Sequence, residues 1–383
     1  MSTAELLLFF VATILPSGLI SWLVVWLVRR FASSWNLMDQ PGARKVHATP
    51  TARGGGIGIV LGVLATFAAV SLIVTLAKAT EHPSLMGISL PSILSKHLAG
   101  LRGQLPSLWT LLGCGAVVAV LGLADDRGGV NWKLRLLVEF AVATFCVTRE
   151  GWRLTAFLPL PLLSDALSII WIVALINSFN MLDNMDALSG GVAAISASIL
   201  GAVMLVTPEG SSAAPQLFVA GFLFVLVGAL LGFLWHNRPP AKIFMGDCGA
   251  YFVGYCIAMA TMLATFVGTA SPKPHSILAP LFVLAIPLYD LVSVILIRLR
   301  NRKSPFEADK NHFSHRLVDL GMSKSQAVLT IYLICLTCGF AALLLNRTDE
   351  IGAILLSGLV TCIMTIIAIL EFVARRQQKG RNA

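Results

Sequence analysis

The chain has 383 residues, 57% of them hydrophobic and only 12% charged, with 28 Lys and Arg against 19 Asp and Glu. A mean hydropathy of +0.83 excludes an ordinary soluble domain. Long continuous apolar runs exclude a β-barrel, whose strands would alternate over roughly ten residues.

In chain order, eleven apolar stretches predict membrane-spanning helices: 4–28, 56–77, 107–124, 134–150, 165–182, 189–207, 214–235, 250–270, 277–298, 326–346 and 351–373. The expected fold class is therefore all-α, a polytopic integral membrane protein. The first stretch has no A-x-A cleavage pattern and is long enough to cross, so it is read as a retained helix. Arg149, Glu150 and Arg153 crowd the connection between the fourth and fifth stretches. Residues 78–106 form the longest outside loop, and "SLMGISLPSILSKHLAGL" within it predicts a short interfacial helix. Cys335 and Cys338 sit inside an apolar run, where cysteine behaves as a small buried hydrophobe, so neither zinc nor a disulfide is expected. No internal repeat is visible.

Orientation follows from the basic residues. With the N-terminus outside, 21 of the 28 Lys and Arg fall on the cytoplasmic side and 7 outside, which places the C-terminus in the cytoplasm. The net charge of +9 is then mostly a cytoplasmic-face feature, suited to anionic lipid and phosphate. The chain reads as one transmembrane domain whose chemistry lies in the loops 29–55, 125–135, 183–188, 236–249 and 299–325.

Five polar clusters fall on that one side: "DQPGARKVHATPTARGGG" (39–56), "LADDRGG" (123–129), "NSFNMLDNMDALSGG" (177–191), "KIFMGDCGA" (242–250) and "SPFEADKNHFSHRLVDLGMS" (304–323). Carboxylates are costly beside lipid, so five aspartates gathered at one surface call for a function. Asp125, Asp126, Asp183, Asp186 and Asp247 offer hard oxygen ligands to Mg²⁺ or Mn²⁺. Lys45, Arg135, Arg316 and the histidines offer charge or donors for phosphate. Carboxylate-held metal beside basic side chains is what phosphoryl transfer requires. The Gly-rich "RGGG" and "GDCG" segments are expected to bring backbone amides to phosphate oxygens. No Walker motif is present, which argues against a nucleoside triphosphatase motor.

Together these motifs resemble the bacterial polyprenyl-phosphate N-acetylhexosamine-1-phosphate transferases, nearest the UDP-N-acetylglucosamine–undecaprenyl-phosphate group that starts O-antigen (lipopolysaccharide), common-antigen and teichoic-acid linkage synthesis. "ARKVHATPTARGGG", "GLADDR", "NSFNMLDNMDALSGG", "IFMGDCGA" and "DKNHFSHRLVDLGMS" match the family's five segments in order. The resemblance implies attack of undecaprenyl phosphate on the β-phosphorus of a UDP-N-acetylhexosamine, with loss of UMP, at the cytoplasmic face of the bacterial inner membrane. It implies Mg²⁺, with Mn²⁺ as the alternative, bound by Asp247 and Asn180. It gives catalytic roles to Asp125 and Asp126, which orient or activate the lipid phosphate, and to Asp183 and Asp186, which position the nucleotide and diphosphate. It places Lys45 and His47 by the nucleotide, and His312, His315 and Arg316 by the diphosphate or sugar. Arg135 stands where many members carry Lys. The bilayer is the expected environment, no nucleic acid partner is expected, and the resemblance leaves room for a homodimer.

Three departures concern the donor sugar. Asn184 and Ala187 replace glycines, and Ser314 replaces a histidine; Ser314→His is expected to be tolerated. The phospho-MurNAc-pentapeptide transferases of peptidoglycan synthesis are the sister reading. A membrane transporter is the non-enzyme rival, but it would place charges near midplane in repeated, broken helices. A CDP-alcohol phosphotransferase would need further acids between 187 and 208, and none is there.

Overall fold

The computed structural model describes residues 1–40, 50–77, 84–85, 88–89, 91–154, 160–209, 214–267, 273–305 and 311–381. Lys45 and His47 lie outside them. Thirteen α-helices occur among the described residues: α1 (Thr3–Phe31), α2 (Gly56–Leu76), α3 (Ser92–Gly128), α4 (Trp132–Thr148), α5 (Pro161–Leu182), α6 (Leu188–Val206), α7 (Leu217–Asn237), α8 (Gly246–Leu263), α9 (Ala279–Val283), α10 (Ala285–Arg300), α11 (Phe313–Asp319), α12 (Lys324–Leu345) and α13 (Glu350–Arg381). The strands are two-residue antiparallel pairs; one of them, β1 (Met38–Asp39) with β2 (Thr51–Ala52), closes the base of the first polar loop.

Among the described residues, eight helices are long and apolar enough to cross a membrane, and a ninth if a pair bent by 66° counts as one span. Eleven spans were expected, and the differences have physical causes. The stretch expected at 277–298 is broken between α9 and α10 at Leu284. α4 has only 17 residues and carries Lys133, Arg135 and Glu139. α8 opens on a polar turn and is buried along nearly its whole length, so neighbouring helices rather than lipid solvate it. The interfacial helix expected at 84–101 is not separate; from Ser92 onward it forms the first turns of the 37-residue α3.

α8 is the centre of the bundle and packs against α2, α3, α5 and α7. Tyr251, Phe252 and Tyr255 on α8 are fully buried. Small residues let backbones approach where the hydrophobic effect gives no drive between helices. A Cβ on Gly228 of α7 would strike Ser17 and Ile14 of α1, and one on Gly122 of α3 would strike the Asp247 backbone of α8. That second contact sets the site, because it lays the last turn of α3 against the first turn of α8. The outer helices α1 and α13 bury only 17% and 11% of their apolar windows, as lipid-facing helices do.

Candidate active site

All the described polar clusters meet at one end of the bundle. The first turn of α8 is the hub. Its N-cap residue, Met245, supplies no side-chain cap. The exposed amides are instead capped from α3: Asp126 Oδ1 accepts from the Asp247 amide at 3.0 Å and Oδ2 from the Cys248 amide at 3.1 Å. Anionic caps at a helix N-terminus are also favoured by the dipole. Gly246 has φ +73°, and a Cβ there would strike the Asp126 carboxylate. Arg53 bridges the same carboxylate, 3.7 Å away, to Asp39 at 2.5 Å.

Asp125 is fixed from three sides. Its Oδ1 accepts from the Val130 amide at 2.6 Å, and its Oδ2 accepts from the Tyr251 hydroxyl at 3.0 Å and lies 3.5 Å from Arg135 Nη1. Asp247 Oδ1 accepts from Asn180 Nδ2 at 2.5 Å. Asp186 accepts from the Ala241 amide at 2.9 Å and ties the α5–α6 turn to the segment before α8. Asp183 ends α5 with its carboxyl pushed up to about 7, by burial first, then by the Asp247 and Asp126 charges.

A cavity of about 570 Å³ opens beside this hub. Asp183 and Asp247 line its polar end with Asn180, Asn184, Arg135, Arg298 and His312. Leu136 and Phe140 of α4, Ile170 and Val173 of α5, and Leu291 and Ile295 of α10 line the rest. One end suits charged oxygen, and the remainder suits an aliphatic chain. Among the described residues, no three His, Cys, Asp or Glu side chains stand together as a metal-holding group. Asp183, Asp247 and Asn180 line the same cavity, and the Asp247 charge adds to the cost of ionising Asp183. Two carboxylates without a full protein cage fit a hard cation such as Mg²⁺, which keeps waters and takes substrate phosphate oxygens.

The structure distributes the expected residues unevenly. Asp183, Asp247, Asn180, Arg135 and His312 reach the cavity. Asp125, Asp126 and Asp186 stand behind it and hold loops and helix starts in place. The His315 ring lies tilted by 54° against that of His312, with ring centroids 6.4 Å apart. Arg316 is buried: its Nε pairs with Glu371 Oε1 at 2.9 Å, Nη1 donates to the Asn311 carbonyl at 2.5 Å, and Nη2 to the Ser293 hydroxyl at 2.8 Å. These bonds turn the guanidinium toward α10 and α13, and Arg316 is not among the cavity-lining residues. The glycine amides are also otherwise engaged. Gly55 and Gly56 donate to the Phe244 and Met245 carbonyls at 2.9 Å each. These glycines serve close approach, because a Cβ on Gly56 would strike Gly249.

Several residues escaped sequence reasoning. Asp290 and Glu139 lie inside apolar runs, fully buried, and Glu371 lies near the end of the last one. An acid in such a run was itself the missed signal. Arg298 and Tyr251 carried no motif. Ser314, expected to tolerate histidine, is fully buried and donates to Asn184 Oδ1 at 2.5 Å.

Carboxylates and arginines gathered where an apolar channel meets a polar helix-end cluster define a membrane-embedded site built to bring an anionic head group on an aliphatic tail to a second polar substrate. The model of glycosyl transferase family 4 matches residues 108–265, the segment from Asp125 through Asp247. The decaprenyl-phosphate N-acetylglucosaminephosphotransferase of Mycobacterium leprae is 30% identical, over 93% of this chain and 89% of that protein. The corresponding protein of Mycobacterium tuberculosis H37Rv is 29% identical, over 91% of this chain and 87% of that protein. The undecaprenyl-phosphate alpha-N-acetylglucosaminyl 1-phosphate transferase of Escherichia coli K12 is 26% identical, over 81% of this chain and 77% of that protein. This chain belongs to glycosyl transferase family 4, among its polyprenyl-phosphate sugar-1-phosphate transferases.

Proposed function

We propose that the protein transfers N-acetylglucosamine 1-phosphate from UDP-GlcNAc to a polyprenyl phosphate, undecaprenyl phosphate in the first instance. An oxygen of the lipid phosphate forms a bond to the β-phosphorus of the nucleotide sugar. The bond from that phosphorus to the bridging oxygen breaks, and UMP leaves with the bridging oxygen. The product is a polyprenyl diphosphate sugar, a lipid-linked intermediate for envelope polysaccharide.

The observation that carries this reading is the two-ended cavity. Its apolar length, from Phe140 and Ile170 to Ile295, suits the first isoprene units, and its polar end suits the phosphate. Arg135, held by the Asp125–Tyr251 pair, supplies positive charge at that end. Asp126 keeps the α8 start, and with it Asp247, in register with α3. Asp183, Asp247 and Asn180 would hold Mg²⁺, whose chemistry is to neutralise diphosphate charge during the displacement. The bias of basic residues toward one set of loops supports a site on the cytoplasmic face of the membrane, where the soluble donor is available.

The test is UMP release by the purified protein in detergent with undecaprenyl phosphate and Mg²⁺. UDP-GlcNAc is compared with UDP-GalNAc and UDP-MurNAc-pentapeptide. Release with UDP-GlcNAc, lost on EDTA treatment and restored by Mg²⁺, is expected. Absence of UMP with every donor would overturn the reaction, and full activity after exhaustive chelation would overturn the metal.

A further inference from the structure

α10 carries a single acid, Asp290, and it is fully buried. A buried carboxylate is tolerated only when its oxygens are satisfied, and in a membrane helix it marks function. Both oxygens of Asp290 reach across to consecutive residues at the start of α11. Oδ1 accepts from the Phe313 amide at 2.6 Å, and Oδ2 lies 3.0 Å from His312 Nδ1. His312 is the member of this group that lines the cavity with Asp183 and Asp247.

We propose that Asp290 is a positioning residue for the transfer: it holds the His312 ring with Nδ1–H toward the carboxylate, so that Nε2 is the nitrogen presented to substrate. An ionised carboxylate only accepts, so Nδ1 is the donor. A carboxylate behind an imidazole sets both tautomer and ring plane, as it does behind metal-bound and catalytic histidines. The Phe313 amide adds a second anchor one residue along, so ring and backbone cannot swing apart. This inference rests on the phosphoryl-transfer reading above.

A merely structural role, capping the Phe313 amide, predicts something different. The discriminating experiment is a double-mutant cycle on kcat and KM in detergent, using Asp290→Asn, His312→Ala and the double variant, with the melting temperature followed throughout. Asp290→Asn is expected to lower kcat about tenfold or more with KM nearly unchanged, and the double variant to be no slower than His312→Ala. Asp290→Glu, which keeps the charge, is expected to recover part of the loss. Turnover of Asp290→Asn within about twofold of wild type, or losses that multiply in the double variant, would overturn the proposal. Where Asp290→Asn does not fold, the same cycle is read with Asp290→Glu, and multiplied losses overturn it equally. A wild-type protein that releases no UMP would instead overturn the function itself.

Discussion

The Ser314 hydroxyl donates to Asn184 Oδ1 across 2.5 Å, joining two positions at which the chain departs from the family pattern. One lies at the α5–α6 turn and the other in the first turn of α11, so the bond closes one side of the site. Ser314 is fully buried, and Asn184 lines the cavity. Histidine at 314 therefore has to displace its neighbours. We predict that Ser314→His lowers stability by about 1–3 kcal/mol, as overpacking does. Adding Asn184→Gly should return part of that loss. Melting temperature in detergent checks both, and an unchanged value for Ser314→His alone would contradict the packing argument.

Asp126 and Asp247 are adjacent but do different work. Asp247→Asn keeps the side-chain shape and is expected to fold normally while kcat falls by two to four decades, about 3–5 kcal/mol of transition-state stabilisation. Asp126→Asn loses one of two acceptors at the α8 start, so its melting temperature should fall as well, by the equivalent of about 1 kcal/mol for a lost cap. Steady-state kinetics and thermal unfolding of both variants separate the roles. Equal melting temperatures would remove the capping role.

The pH dependence follows from Asp183, whose carboxyl is pushed up to about 7 by burial and by Asp247 and Asp126. A raised carboxyl means that the folded state holds a proton the unfolded chain releases at lower pH. In metal-free protein, its contribution to stability is therefore largest at low pH and declines as pH rises through about 7. Mg²⁺ needs the ionised form, so apparent Mg²⁺ affinity should fall as pH drops below about 7, by up to tenfold per unit for one proton. Mg²⁺ titrations of initial rate between mildly acid and neutral pH read this directly. Asp183→Asn should weaken the stability trend, seen as a melting temperature of the metal-free protein that declines less steeply toward neutral pH.

Arg316 was expected from sequence to hold the donor, so that Arg316→Ala would mainly raise KM. Its pairing with Glu371, Ser293 and Asn311 predicts a folding defect instead. Removing one partner of a buried pair costs about 3–5 kcal/mol. Lysine should not rescue it, since one ammonium cannot span those directions. A stable, soluble Arg316→Ala with raised KM alone would restore the original reading.

Ala187 adopts φ +63°, the left-handed region, where the family pattern has glycine. It is held there by its amide, which donates to Asn237 Oδ1 at 2.8 Å, and by its carbonyl, which accepts from Tyr332. Ala187→Gly should stabilise by up to about 1 kcal/mol, because the strain of a Cβ in that region is removed. A lower melting temperature for this variant would show that the Cβ contacts outweigh the backbone strain.

Class and reaction type were legible in the sequence because they rest on local properties. Apolar run length, basic-residue bias and the order of five polar segments need no tertiary contact to be read. Composition also showed that Asp125, Asp126, Asp183, Asp186 and Asp247 share one face, since helix length and chain direction alternate the ends. What only the tertiary structure decided is which of them line the cavity. Asp183 and Asp247 line the cavity, whereas Asp126 caps α8 and Asp186 caps a loop, a division set by the close approach of Gly122 to α8. The sequence could not place Asp290 behind His312 or Glu371 beside Arg316, because those pairs are 22 and 55 residues apart and join different helices. An acid inside an apolar run shows only that it must have a partner; which partner it has depends on how the helices pack.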